Sequence, residues 1–218
     1  MSPSPRARFS TPPSYKIFTF YNSNTLDNKE EYKKYCNAQI KRCLIKITKQ
    51  RKDVYYNTVS NYIIKYSNKV HKNMIYLGSR NNWEKTCFQK NLKNLKVFDL
   101  DICEKSKCDY TYDFQKLPEE FNNKWDIIFT NSLDHSISPL NTIEYWLNFI
   151  KKDGLLIIGY EPDVDVNHNA FGEHDCSTLP DKWYSNLDKN KVTVIDTFIC
   201  DAGENNNHTY SHVILKKN

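Results

Sequence analysis

The chain has 218 residues, a formal net charge of +5 and 39% hydrophobic residues. That length suffices for one α/β core with additional helices. No stretch approaches the length of a membrane span and the first residues lack the apolar block of a signal peptide, so a soluble cytoplasmic protein without a membrane partner is expected.

The mild basicity would suit nucleic acid or an anionic membrane. Lys, Asn, Ile and Tyr are abundant throughout the chain, however, which makes the charge a property of composition rather than of a selected site. The seven cysteines, Cys36, Cys43, Cys87, Cys103, Cys108, Cys176 and Cys200, contain no C-x-x-C pair and are odd in number. They read as reduced, partly buried thiols rather than a disulfide or zinc framework, and their spacing assigns no metal site.

Residues 1–13 have little to bury and read as a disordered tail. Residues 15–21 are apolar and aromatic, suited to a short strand or a segment over a pocket. From Asn28 to Gln50, apolar residues from Tyr32 to Ile47 recur at helical spacing, with Asn28 and Glu31 as an N-cap signal. Asp53–Ser67 repeats the pattern. Residues 14–70 are therefore expected to form a helical extension packed on a core domain spanning 71–218.

The core domain alternates strands and helices. Strands are expected at 74–78, 95–100, 109–112, 125–131, 154–160, 191–200 and 208–216, with helices at 82–91, 139–150 and 179–188. The last two strands are joined by a loop too short for a crossover helix, so they should pair antiparallel. The predicted class is α/β: a Rossmann-like three-layer sandwich with a mostly parallel seven-stranded sheet and a C-terminal antiparallel hairpin, preceded by two N-terminal helices.

In such a sheet, ligands bind beyond the carboxyl ends of the strands near the switch point. Leu77-Gly78-Ser79-Arg80 follows the first strand, and Gly78 allows a ligand close to the backbone. Asn81 and Asn82 are candidates to replace further glycines at positive φ. Asp99 lies 21 positions after Gly78, suited to a ribose, with Asp101 as its competitor. Asp113 is suited to accept from an adenine amino group while Phe114 covers the ring; Phe114 suits plain core as well. The fourth strand runs into Asn131-Ser132-Leu133-Asp134-His135 at its carboxyl end.

Together, YLGSRNNWE, VFDLD, YDFQKLP, WDIIFTNSLDHS and FIKKDGLLIIGYE resemble class I S-adenosylmethionine-dependent methyltransferases. The similarity is to small members with an L-G-x-R-x-G-x-E first loop and N-x-L-D-H after the fourth strand. Asn82 stands where those members have a second glycine; Arg80 and Glu84 match. The resemblance implies the cofactor S-adenosyl-L-methionine held by Leu77, Gly78, Ser79, Arg80, Asp99, Leu100, Asp113, Phe114 and Asn131.

Methyl transfer to an oxygen needs a base, and His135 and Asp134 are the first candidates. The competing role for His135 is structural, packing under the strand end. After the fifth strand, the segment from Glu161 to Asp175 is dense in carboxylates and imidazoles. Acceptor contact by Glu161, His174 and Asp175 is the favoured role; plain surface and a divalent-metal site are the others. The expected activity is O-methylation of a small polar or glycan-like acceptor. A nucleic-acid (RNA) methyltransferase, a nicotinamide-dependent oxidoreductase and a non-catalytic binding module are the alternatives. Neither the acceptor's identity nor the oligomeric state is legible in the sequence.

Overall fold

The computed structural model describes residues 23–48, 50–161, 179–201 and 209–218. Two helices come first, α1 (Lys29–Lys46) and α2 (Asp53–Tyr66). Asn28 caps α1, its side-chain oxygen accepting from the Glu30 and Glu31 amides at 3.1 and 3.3 Å. The Glu31 carboxylate accepts from the Thr25 hydroxyl at 3.2 Å.

Then follow β1 (Asn73–Leu77), α3 (Asn82–Asn91), β2 (Lys96–Asp101), β3 (Tyr110–Thr111) and β4 (Trp125–Thr130). The chain continues with α4 (Pro139–Trp146), β5 (Ile150–Tyr160), β6 (Val192–Asp201) and β7 (Thr209–Lys217). The seven strands form one sheet in the order β3-β2-β1-β4-β5-β7-β6. All pairs are parallel except those of β7, which runs antiparallel to β5 and β6. The expected sheet and its closing hairpin are therefore present.

Both faces of the sheet are buried, which explains the uninterrupted apolar runs. Ile75, Leu77, Ile128 and Leu156 face one layer with Trp125 and Trp146. Met74, Tyr76, Ile127 and Phe129 face the other, against Tyr55, Tyr56, Val59 and Ile63 of α2 and Phe88 of α3. The two sets alternate along each strand because successive side chains point to opposite faces.

Two expected helices are corrected. The segment 139–150 is helical only to Trp146, because Ile150 pairs with Trp125 and starts β5. The segment 179–188 contains a single 3-10 turn, Trp183–Asn186. Lys182 before it is left-handed at φ 56°, and the Trp183 ring is wedged edge-on against Tyr160 at 5.8 Å, which stops a longer helix. The aromatic segment at 15–21 and most of the two long loops lie outside the described residues.

One polar group joins the helical layer to the carboxyl edge of the sheet. Arg51, between α1 and α2, is 6% exposed. Its Nη1 pairs with Glu84 Oε1 of α3 at 3.0 Å and its Nη2 donates to the Tyr210 hydroxyl of β7 at 3.0 Å. Its guanidinium lies 5.2 and 5.0 Å from the ring centroids of Tyr55 and Tyr210. The Tyr56 hydroxyl also donates to Glu84 Oε1, at 3.2 Å.

Removing one partner of such a pair leaves an uncompensated buried charge. Arg51→Met is expected to cost about 3–5 kcal/mol of unfolding free energy. The double variant Arg51→Met, Glu84→Gln should cost less than the sum of the two single changes. Urea denaturation of the four proteins measures this, and strict additivity would show that the pair does not act as a unit.

Candidate active site

The strand order reverses between β1 and β4, so the crevice beyond their carboxyl ends is the switch point. The Thr130 hydroxyl donates to the Leu77 carbonyl at 2.9 Å and accepts from the Ser132 amide at 3.1 Å, fixing both strand ends. Gly78 and Ser79 donate their amides to the Leu100 carbonyl at 2.8 and 3.0 Å, tying the loop to β2.

Gly78 has φ +78°, and a Cβ there would lie 2.7 Å from Ser132 Oγ. Both facts require glycine. Asn81 and Asn82 do not have the role expected of them. Asn81 is extended, φ −158°, and sits at the N-cap of α3, which Asn82 begins. The Asn81 amide nitrogen donates to the Ile47 carbonyl at 2.7 Å, binding the loop to the end of α1. The turn needs the left-handed region at one position only, so one glycine suffices.

A narrow cleft of about 50 Å³ opens above this turn. From the sheet side it is lined by Gly78, Arg80, Asp101, Ile102, Asp113 and Phe114, with Ser132 and His135 after β4. From above it is closed by Tyr35, Gln39, Arg42 and Cys43 of α1. Tyr35, Gln39 and Cys43 recur every four residues and form one stripe of the helix. The Tyr32 hydroxyl holds this helix down by donating to Asp113 Oδ2 at 2.9 Å, and Gln115 Nε2 donates to the Tyr35 hydroxyl at 2.8 Å.

The two candidate ribose acids, Asp99 and Asp101, are placed differently. Asp99 has no exposure and its carboxylate is engaged below the loop. Its Oδ1 accepts from the Asp109 amide at 2.8 Å and its Oδ2 from the Ser79 hydroxyl at 3.3 Å. Asp101 points to the same face of β2, being two residues on, but stands about 7 Å nearer the mouth. It is the acid that lines the cleft. Burial pushes the Asp101 carboxyl up to about 6, although the Cys103 amide, donating to Oδ1 at 2.8 Å, favours its charged form.

The remaining expected residues divide. Gly78, Arg80, Asp113, Phe114 and His135 line the cleft. Leu77 and Leu100 are fully buried in the core beneath it, and Ser79 is buried with its hydroxyl donating to the Asn81 carbonyl at 3.1 Å. Asp113 Oδ1 accepts from the Gln115 amide at 2.9 Å, and burial raises its carboxyl above the usual range. The Phe114 ring packs edge-on against Trp146 at 5.6 Å.

Asn131 lies behind the cleft, 9% exposed. With the side-chain amide oriented so that both its ends are paired, its oxygen accepts from Arg51 Nη1 at 3.0 Å and its nitrogen donates to the Tyr76 hydroxyl at 3.0 Å. His135 Nδ1 lies 3.7 Å from Asp134 Oδ2, and the Asp134 side chain is 38% exposed. Glu161 follows β5 and is half-buried; His174 and Asp175 lie outside the described residues.

Sequence reasoning missed Ser132, the α1 stripe and Arg51. The stripe had a legible signal, a polar Gln39 among apolar positions at helical spacing. Arg51 had none, since its partners come from α2, α3, β4 and β7.

No protein-family model matches the sequence, and no curated protein matches it either. Solved structures do match. A chain of the complex between the Haloferax volcanii Trm112 methyltransferase activator and a methyltransferase is 12% identical, with a TM-score of 0.63 over 85% of this chain and 97% of that one. The N-methyltransferase NodS from Bradyrhizobium japonicum, bound to S-adenosylhomocysteine, is 11% identical, with a TM-score of 0.58 over 83% and 98%. A SAM-dependent methyltransferase from Leishmania major is 13% identical, with a TM-score of 0.58 over 85% and 82%. At such identities the likeness speaks for architecture, and the architecture is that of the class I S-adenosylmethionine-dependent methyltransferases.

Proposed function

We propose that this chain is an S-adenosylmethionine-dependent methyltransferase whose cofactor occupies the cleft between Gly78 and α1. One observation carries the reading: Gly78, Asp101, Asp113 and Phe114 converge on a single cleft at the switch point. These groups fit the cofactor chemically. Gly78 leaves a backbone face that a Cβ would fill. Asp101 offers a carboxylate to two ribose hydroxyls, the role expected of Asp99. Asp113 accepts from the adenine amino group and Phe114 covers the ring. Asn131, anchored by Arg51 and Tyr76, borders the methionine end.

When bound, the cofactor supplies a methyl group on a sulfonium, open to in-line displacement. The chain supplies alignment, exclusion of water by α1, and a place for the acceptor's proton. His135 takes that proton, and Asp134, 3.7 Å from Nδ1, stabilises the imidazolium. The acceptor is a small polar or glycan-like molecule methylated at oxygen, contacted by Glu161, His174 and Asp175. What supports this choice is the sequence after β5: it leaves the sheet at the same edge as the cleft and carries carboxylates and imidazoles suited to hydroxyl groups.

Two measurements test the cofactor half. In calorimetry with S-adenosylhomocysteine, Asp101→Asn is expected to lose about ten- to a hundredfold in affinity, the worth of hydrogen bonds to a charged acceptor. Asp99→Asn should stay within about threefold of the parent, since its carboxylate serves the loop and not the cleft. The reverse ranking would return the ribose to Asp99, and no heat from the parent protein would remove the cofactor altogether.

The second measurement is pH. Below about 6 the Asp101 carboxyl is protonated and loses acceptor capacity; above it the charged form is ready to bind. Affinity should therefore rise from pH 5 to about 7 and then level off, and Asp101→Asn should remove most of that slope. A slope that survives the substitution would assign the titration to another group.

A further inference from the structure

We propose that Cys43, Asp101 and Cys103 form a binding site for a thiophilic divalent cation, zinc foremost, at the rim of the cleft. Their two sulfurs and one carboxylate oxygen all lie within 4.8 Å of one another. Among the described residues no other group of three such side chains does so. All three are buried, with 7%, 7% and 1% exposure.

The trio is assembled from two places. Asp101 and Cys103 are two residues apart on extended chain at the end of β2, so their side chains share a side. Cys43 comes down from α1, the helix that roofs the cleft. No sequence spacing announces such a set, because its members lie 58 and 60 positions apart. The carboxylate is already oriented, since the Cys103 amide donates to Oδ1. The Cys43 thiol makes a long contact, 3.7 Å, to the Arg80 carbonyl and hydrogen-bonds within the trio, with Asp101 and Cys103.

The donor set selects the ion. Thiolates favour zinc over magnesium or calcium, which prefer all-oxygen sites. Tetrahedral zinc, with bonds of about 2.3 Å to sulfur and about 2.1 Å to oxygen, needs ligand atoms roughly 3.5–3.8 Å apart. The trio reaches that by closing at most about 1.3 Å, within rotamer adjustments of Cys43 and Cys103. Three protein ligands leave a fourth position, and it faces the cleft because Cys43 and Asp101 both line it. Binding is balanced by protons: the ion enters as a dication, and two thiol protons leave to solvent.

A consequence follows for the cofactor. Asp101 is the same carboxylate assigned above to the ribose, so metal and adenosine compete for it. This consequence rests on the methyltransferase reading; the metal site itself does not.

The test uses the full chain, stripped of metal with a chelator and kept reduced with a phosphine. Titration with cobalt(II) should produce a thiolate-to-cobalt charge-transfer band and the visible bands of a four-coordinate ion. Both should saturate at one equivalent and bleach when zinc is added. Cys43→Ser and Cys103→Ser should each abolish the charge-transfer band, while Cys36→Ser and Cys87→Ser keep it. Cys43→His, which retains a zinc ligand, should keep four-coordinate binding with a weaker sulfur band and guards against a misfolded serine variant. No band in the parent protein, or an undiminished band in both serine variants, overturns the site.

Calorimetry then separates the two readings. One equivalent of zinc should weaken S-adenosylhomocysteine binding about tenfold or more in the parent protein and leave Cys103→Ser insensitive to zinc. A cobalt band without this competition keeps the metal site and overturns the shared use of Asp101. A cobalt band with no nucleoside binding at all keeps the metal site and overturns the methyltransferase reading.

Discussion

The Arg51 side chain is almost wholly buried, and its charge must be answered within the protein. Glu84 answers it from α3, Tyr210 from β7 and Asn131 from the end of β4, while the rings of Tyr55 and Tyr210 present their faces. A charge held this way can be satisfied in one arrangement of those elements and in few others. The cluster extends through the Tyr55 hydroxyl, 3.3 Å from His212 Nε2, and burial pushes His212 down to about 3, so that ring is neutral at ordinary pH. Helices that precede the sheet in sequence are thereby locked to the edge where its strands end.

That lock has a functional meaning. With α2 and α3 fixed, the Asn81 side chain can bridge to the end of α1, and α1 can lie across the crevice. The cleft is consequently made by two independent pieces: a strand-loop-helix turn below and an amphipathic helix above. Tyr32 and Tyr35 join them at the Asp113–Gln115 segment. Each piece alone would leave an open surface; together they enclose a narrow cleft with acids on its wall.

The loop after β1 shows how little glycine such a turn requires. Gly78 takes the one left-handed position and the one close approach, to Ser132. Past it no loop residue has positive φ: Asn81 is extended and Asn82 begins the helix, conformations open to residues other than glycine. The missing second glycine is therefore no defect of the turn. The asparagines are there for hydrogen bonding and helix initiation instead of for left-handed backbone.

Much of the fold was legible in the sequence. Apolar runs of five or six residues between polar turns identify strands buried on both faces, and the short link near the C-terminus dictates an antiparallel hairpin. Those features depend on neighbours within a few positions. Helix ends were less legible, because Ile150 leaves its helical register to pair with Trp125, 25 residues away. The candidate site divides along the same line. Gly78, Asp113, Phe114 and His135 announce themselves by following strands. The choice between Asp99 and Asp101 does not, since both sit on one face of β2 and only depth in the sheet separates them. The joining of Cys43 to Asp101 and Cys103, and of Arg51 to Glu84, is decided by tertiary structure alone. Local sequence sets which groups a segment carries and which way they point; only the packing of distant segments sets which groups meet, because the energies involved depend on burial and distance in three dimensions.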